Sequence, residues 1–292
     1  MKLVFIIGTG RCGSSLVHEI IAKHRDVGFI SNIDDNLAFL DLKGRWNNRI
    51  FGSPIGKYTK KGRLRFAPSE AYQLISRQVS PVYVRPCRDL LAEDVSVQLE
   101  NRFRNFFFQR YQSQGNKVFI HKYTGWSRIG FFSKIFPDAK FIHIVRDGRA
   151  VSSSYLRMPW WEGWGGPENW LWGKLPENYE REWYENNRSF VCLAGIGWKL
   201  LMDSFESSSN QLDESRYLQV RYEDFLDHPI DNMKRMLAFS EIDWTSHFEK
   251  SVKSRKLKKA LKNTYEADLT SYQLEELNNC LDEKLKQYGY LE

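Results

Sequence analysis

Hydrophobic and polar positions divide the chain into short apolar runs and longer stretches of helical period. Leu3 to Gly8 (LVFIIG) is a continuous apolar run closed by glycine, which predicts a strand covered on both faces, as in a parallel sheet. Ser14 to His24 follows with Leu16, Val17, Ile20 and Ile21 at helical spacing, so a helix is expected there. A second strand is expected at Val27 to Ser31, then a polar turn from Asn32 to Asn36. From about residue 37 to 115 the pattern loosens, with helices expected around Ser69 to Val79 and Val95 to Gln112. Order returns at Lys117 to Lys122 (KVFIHK), a strand, followed by a crossover helix over Ser127 to Phe136 and a strand at Lys140 to Arg146 (KFIHIVR). Strand, helix and strand at this spacing make a βαβ unit, whose crossover is expected to be right-handed.

Asp147 is a good N-cap for a helix from Gly148 to about Arg157. Beyond it, helices are expected near Ser189 to Ser207, at Pro229 to Phe239 with proline in the first turn, and at Ser271 to Gln287, where Leu274, Leu277, Leu281 and Leu285 recur at helical spacing. A strand is expected at Tyr217 to Tyr222. The sum is one α/β domain spanning residues 1–292, a central parallel sheet flanked by helices, with insertions at about 37–115 and 158–187.

Composition changes this picture in one place. Six tryptophans (160, 161, 164, 170, 172 and 183) crowd into 24 residues of the second insertion, out of ten in the chain. They either roof a binding site, where aromatic faces stack on a sugar, a phenol or an acyl chain, or pack the insertion onto the core. The net charge of +7 suits anionic ligands, yet it is too dispersed to read as a nucleic-acid footprint. Cys12, Cys87, Cys192 and Cys280 show neither CxxC nor Cys/His metal spacing, so no metal site and no disulfide scaffold are indicated. The first apolar run is shorter than the roughly 7–15 residues of a signal h-region, and no stretch approaches the roughly 20 of a membrane span. The chain is therefore expected to be soluble and cytoplasmic.

The densest chemistry lies at Gly8 to Ser15 (GTGRCGSS), between the first strand and the first helix. The unpaired N–H groups of a helix start and the positive end of its dipole make an anion site there, and glycines let phosphate approach the backbone. A glycine-rich turn that binds nothing is the competing reading. The stretch is like GxxxxGK[ST], but Ser14 stands where a nucleotide triphosphatase keeps its lysine, and a basic residue appears instead at Arg11. No apolar strand ends in an isolated Asp suited to Mg²⁺, since Asp147 lies between Arg146 and Gly148. A metal-dependent ATP or GTP enzyme is disfavoured on both grounds. A second motif, VRDGRAVSSSY (Val145 to Tyr155), begins where another strand meets another helix, at the edge of the sheet where ligands of open α/β sheets bind. Two anion sites side by side suit a ligand with two separate phosphate groups.

Taken together these motifs resemble the sulfotransferases that use 3′-phosphoadenosine 5′-phosphosulfate (PAPS). RCGSS is similar to their 5′-phosphosulfate loop, and Arg146 with Ser154, eight residues apart, to their 3′-phosphate motif. The wording is nearest the Golgi-type branch, especially the tyrosylprotein sulfotransferases, and extends to FIHK, FPDAKF and YLQVRYEDFLDHP. The resemblance implies a P-loop-like sheet with PAPS as cosubstrate and PAP as product. It implies 5′-phosphosulfate binding by the loop residues Cys12, Gly13, Ser14 and Ser15, with Arg11 at the scissile bridge and Lys122 on the transferring sulfuryl. Arg146 and Ser154 are implied at the 3′-phosphate. Tyr222 is implied near the nucleotide, although a buried strand-end tyrosine accounts for it equally well.

The general base departs from the family's pattern. The tyrosylprotein branch has a Glu after the second strand, where this chain has Asn32; Asp34 or Asp35 can substitute after a small shift, Asp34 being preferred, unless it is a turn aspartate. The cytosolic branch uses a histidine at the position of Thr124, and His121 is expected to point away from Lys122, since adjacent strand side chains face opposite ways. The basic stretches Lys57 to Arg65 and Lys253 to Lys262 either recruit anions or are solvated surface. The leading expectation is a sulfotransferase acting on a hydroxyl-bearing acceptor, a carbohydrate or glycolipid ahead of a tyrosyl peptide or small phenol. A P-loop kinase-like phosphotransferase and a non-catalytic PAP- or anion-binding module are the alternatives.

Overall fold

A computed structural model describes residues 1–53, 65–255, 257 and 265–291. Five strands, β1 (Leu3–Ile7), β2 (Val27–Gly28), β3 (Val118–Lys122), β4 (Lys140–Val145) and β5 (Tyr217–Arg221), form one sheet in the order β2-β3-β1-β4-β5. Every pairing is parallel. The α/β architecture read from the sequence is thus present, with helices on both faces of the sheet.

Period-two alternation gives the two faces different cores. Leu3, Phe5 and Ile7 of β1 join a cluster rich in aromatics, whereas Val4 and Ile6 join an aliphatic one with Val17, Ile120, Ile142 and Met236. On the aromatic face Phe5 is the hub: its ring stacks on Phe132 at 4.4 Å and Phe141 at 5.5 Å and meets Phe107 edge-on at 6.0 Å. His121 lies on this face too, fully buried against Phe107, with its Nε2 3.3 Å from the Tyr83 hydroxyl. It points away from the site that Lys122 enters.

Several boundaries differ from the sequence reading, each for a local reason. Strand β2 is two residues long because the Phe29 backbone leaves the sheet: its N–H donates to Gln114 Oε1 at 3.0 Å, and its carbonyl accepts from Gln114 Nε2 at 2.9 Å. The expected polar turn is a short helix, Asn32–Asn36, capped by Ser31 and Asp34. Tyr222 opens a helix, Tyr222–Asp227, rather than ending the strand, and Ser246–Lys253 is helical beyond what periodicity indicated. The tryptophan-rich segment contains a helix, Glu177–Glu185, and buries Trp161, Trp170, Trp172 and Trp183, while Trp164 stays exposed. The long helix Phe190–Ser209 receives Trp172 flush against Gly197, where a Cβ would lie 2.4 Å from the indole. Packing is therefore the main task of these tryptophans.

Cys192 and Cys280 are buried with their sulfurs 3.4 Å apart and unbonded, near Glu182, whose carboxylate already binds the Lys199 ammonium. Among the described residues no helix is long and apolar enough to cross a membrane.

Phe5→Ala should lower the unfolding free energy by about 3–5 kcal/mol, as loss of a fully buried aromatic does, measured by urea denaturation. Burial also pushes the His121 and His143 imidazoles down to about 3. Below about pH 6.5 the unfolded chain takes up protons that the folded chain refuses, so stability is full above that pH and declines as the pH falls toward 3. Denaturation midpoints between pH 7 and 4 should follow that decline, and His121→Leu should flatten it.

Candidate functional site

Because all strands are parallel, the loops after β1, β3, β4 and β5 emerge at one edge. The register pairs Ile6 with Lys122, Ile7 with His143 and Val145 with Arg221, so Lys122 at the end of its strand and Gly8, Arg146 and Tyr222 just past theirs come together at one edge. The loop after β1 turns through positive φ at Gly10 (82°), Arg11 (54°) and Gly13 (88°) before the helix Ser14–Ile21 begins. Glycine is required at 13 on two counts: the left-handed backbone, and Tyr222, whose ring carbon would lie 2.2 Å from a Cβ. The helix start leaves N–H groups of Ser14 and Ser15 facing the cavity that both residues line. Cys12 takes part only through its backbone, since its side chain is buried in the aliphatic core.

The second motif meets this loop across 143 residues of sequence: Arg11 Nε donates to Ser154 Oγ at 2.8 Å. Arg146 donates to the Arg11 carbonyl at 2.9 Å, with its guanidinium 5.1 Å over the Tyr222 ring. Ser154 and Tyr222 are buried behind the loop, so they position Arg11, Gly13 and Arg146 rather than line the cavity. Asp147 caps its helix and is held by Arg149 Nη2 at 2.7 Å.

Lys122 is only 5% exposed at the end of β3. Its ammonium donates to Ser15 Oγ at 2.8 Å and to the Glu70 carboxylate, whose other oxygen accepts from Thr124 Oγ1 at 3.0 Å. Burial pushes the Glu70 carboxyl up, but the Lys122 charge and hydrogen bonds from Lys122, Tyr72 and Thr124 outweigh it and hold Glu70 below the ordinary carboxylate value. Glu70 is thus ionised at neutral pH.

Asp34 is not at this site, which corrects the expectation of a catalytic aspartate. It is buried, its Oδ2 accepting from Ser31 N–H and Ser31 Oγ at 2.8 Å and from Asn47 Nδ2. Asp35 is likewise spent, accepting from Ser69 Oγ at 3.0 Å and Leu74 N–H at 2.9 Å. Asp35 fastens the segment that delivers Glu70, together with three neighbours: Asn32 N–H donates to Ala67 O, Ser69 N–H donates to Ile30 O, and Ser31 bridges Pro68 in antiparallel sense. Glu70 was missed because it sits in the loosely patterned insertion. The available signal was Lys122 itself, a strand-end lysine in need of a counter-charge.

Loop, Lys122, Glu70 and Arg146 open on one cavity of about 820 Å³, also lined by Tyr72, Trp126, Arg128, Trp160, Leu171 and Trp172. The tryptophan segment therefore also reaches the site, through Trp160 and Trp172. Of the first basic stretch, residues 57–64 lie outside the described residues, and Arg65 lines the cavity. Of the second, Lys253 pairs with Glu249 and Arg255 with Glu19, while residues 256 and 258–262 lie outside the described residues.

Fold and site define an α/β protein built to grip an anionic ligand on a glycine-rich loop, with a buried lysine–carboxylate pair beside it. A family model described as the sulfotransferase family matches residues 4–246, and the chain belongs to that family. Among solved structures it is similar to the sulfotransferase domain from the curacin biosynthetic pathway (12% identity, TM-score 0.56, covering 97% of this chain and 96% of that one). It is also similar to sulfotransferase STF9 from Mycobacterium avium (13% identity, TM-score 0.58, covering 98% and 76%) and STF1 from Mycobacterium tuberculosis (11% identity, TM-score 0.54, covering 96% and 76%). At these identities the likeness is one of fold. No curated protein matches the chain in sequence.

Gly13→Ala combines left-handed strain with a collision against Tyr222, so it should weaken binding of the bisphosphorylated nucleotide PAP by about 10-fold or more in calorimetry. Gly52→Ala, where nothing lies within 4 Å, should leave that affinity unchanged.

Proposed function

We propose that the chain, with residues 1–292 as a single domain, transfers the sulfuryl group of PAPS to a hydroxyl of an acceptor and releases PAP. A carbohydrate or glycolipid acceptor is favoured. The observation that carries the reading is the convergence of three cations, Arg11, Lys122 and Arg146, on a glycine-rich helix start at one sheet edge. The fit to PAPS rests on the same residues: the groove at Gly13 that a side chain would fill, the helix-start N–H groups of Ser14 and Ser15, and a cavity in the size range of a nucleotide with its acceptor.

When bound, PAPS supplies an electrophilic sulfuryl group on a phosphate leaving group. Backbone N–H groups of Gly13, Ser14 and Ser15 would hold the 5′-phosphate, and Arg146, backed by Tyr222, the 3′-phosphate. Arg11, steadied by Ser154, and Lys122 supply fixed positive charge where negative charge grows on the leaving oxygen. Glu70, ionised and beside Lys122, accepts the proton of the attacking hydroxyl, the role expected of Asp34. Lys122 is shared between Ser15 and Glu70, so its move toward the transferring group frees the carboxylate for that proton. A phosphotransferase reading draws no support from Ser14 at the loop's lysine position or from Asp147 held by Arg149.

With labelled PAPS and an acceptor trapped from a cell extract, Lys122→Ala and Arg11→Ala should each lower kcat by roughly 10²-fold or more. Near-normal turnover of Lys122→Ala refutes its role. Glu70→Gln should lower kcat by about 10²–10⁴-fold and abolish the acid limb of the pH–rate profile, which in the parent enzyme is displaced to the acid side of the ordinary carboxylate range because the Lys122 charge and hydrogen bonds hold Glu70 low. An unchanged profile would remove Glu70 as base.

A further inference from the structure

The cavity holds more positive charge than sulfuryl donation uses. Among its described lining residues Glu70 is the only acid, and it is committed to Lys122. Arg11, Lys122 and Arg146 are tied to the loop and to Glu70, and the cavity's remaining cations are Arg65, Arg85 and Arg128. None of these three has an ion-pair partner among the described residues.

Arg128 is the informative one. It is 2% exposed, yet its guanidinium makes one hydrogen bond, from Nη1 to the Thr124 carbonyl at 3.2 Å, and its Nε has no partner. Its flanks are ring faces rather than carboxylates: Tyr83 at 4.9 Å and Tyr123 at 5.4 Å from Cζ. The nearby Asp89 is already used, accepting from the Arg128 backbone N–H at 2.8 Å and from the Ser127 and Ser204 hydroxyls. A guanidinium keeps its proton, and this one, with a single hydrogen bond and no ion pair among the described residues, has donors left to meet an anion. Arg85 lies two residues from the Tyr83 ring that carries Arg128, on the same cavity wall. Trp126 lines that wall as well, its indole nitrogen unpartnered, and Trp160 and Trp172 offer ring surface.

We propose that Arg128, assisted by Arg85, forms an oxyanion subsite for the acceptor, so that the preferred acceptor carries, besides its reacting hydroxyl, a carboxylate or sulfate group on a ring-bearing body. The inference rests on the sulfotransferase reading and narrows it to acidic acceptors, such as uronic-acid glycosides over neutral ones. The subsite holds the acceptor's anionic end at Arg128, with the rings of Trp126, Trp160 and Trp172 along its body and its hydroxyl toward Glu70. Arg128 binds; it takes no part in the proton transfer.

The test uses the full chain saturated with PAP and matched probes in calorimetry: 4-nitrophenyl β-D-glucuronide against 4-nitrophenyl β-D-glucoside, and 3-(4-hydroxyphenyl)propionate against its amide. Phenyl sulfate against phenol separates a sulfate preference from a carboxylate one. The acid of at least one pair should bind roughly 10- to 100-fold more tightly than its neutral partner, the range expected for a charge-assisted hydrogen bond. Arg128→Met should abolish that difference, Arg128→Lys should keep part of it, and Arg85→Met should reduce it without touching the buried stack. Equal affinities across every pair, or a difference that survives Arg128→Met, overturn the subsite. PAP affinity, measured first in each protein, is a separate readout: its absence in the parent chain counts against the sulfotransferase reading, and its presence with equal acid and neutral binding counts against the subsite alone.

Discussion

A lysine buried at the end of a parallel strand needs a counter-charge, and the site is arranged around that need. Lys122 is largely buried at the end of β3, and Glu70 and Ser15 satisfy its ammonium from two different elements. Removing one partner of such a buried pair leaves an uncompensated charge, a change worth several kcal/mol. Glu70 therefore has a structural task, neutralising the buried ammonium, beside the role of base proposed for it.

The rest of the fold serves this juxtaposition. Parallel pairing brings four strand ends to one edge, and the aromatic and aliphatic cores on opposite faces fix the register that keeps them level. The first insertion, which lacks clear periodicity, is anchored by Asp34, Asp35 and Asn32 to the chain after β2, and this anchoring carries Glu70 to Lys122. The two aspartates that look like catalytic candidates are structural, Asp34 capping its helix and holding Asn47 and Asp35 holding Ser69 beside Glu70.

What could be read in the sequence follows from how local each signal is. Strands β1, β3 and β4 were legible because both-face burial leaves near-continuous apolar runs, β5 because Leu218 and Val220 alternate with Gln219 and Arg221, and the helix N-terminal to Arg157 because Asp147 caps it. The loop GTGRCGSS and its pairing with Arg146 were legible because a phosphate-gripping turn needs glycine and cation at fixed spacing. Strand β2 was overestimated because a side-chain amide, Gln114, takes over its backbone partners from 85 residues away. Glu70 and Arg128 were not legible because their meaning depends on neighbours distant in sequence. Neither a lone glutamate in an irregular stretch nor an arginine before a helix announces that it is buried beside a cavity.

In the proposed function the two cationic sites at the sheet edge, Arg11 with the glycine loop and Arg146 with Tyr222, grip one bisphosphorylated adenosine. Titrating the purified chain with PAP, and separately with Mg²⁺ and ATP, measures this most directly. Saturable heat with one PAP per chain, markedly weakened by Arg146→Ala and far exceeding any response to ATP, is the predicted result. Absence of heat with PAP, or an ATP response equal to it, would contradict the account.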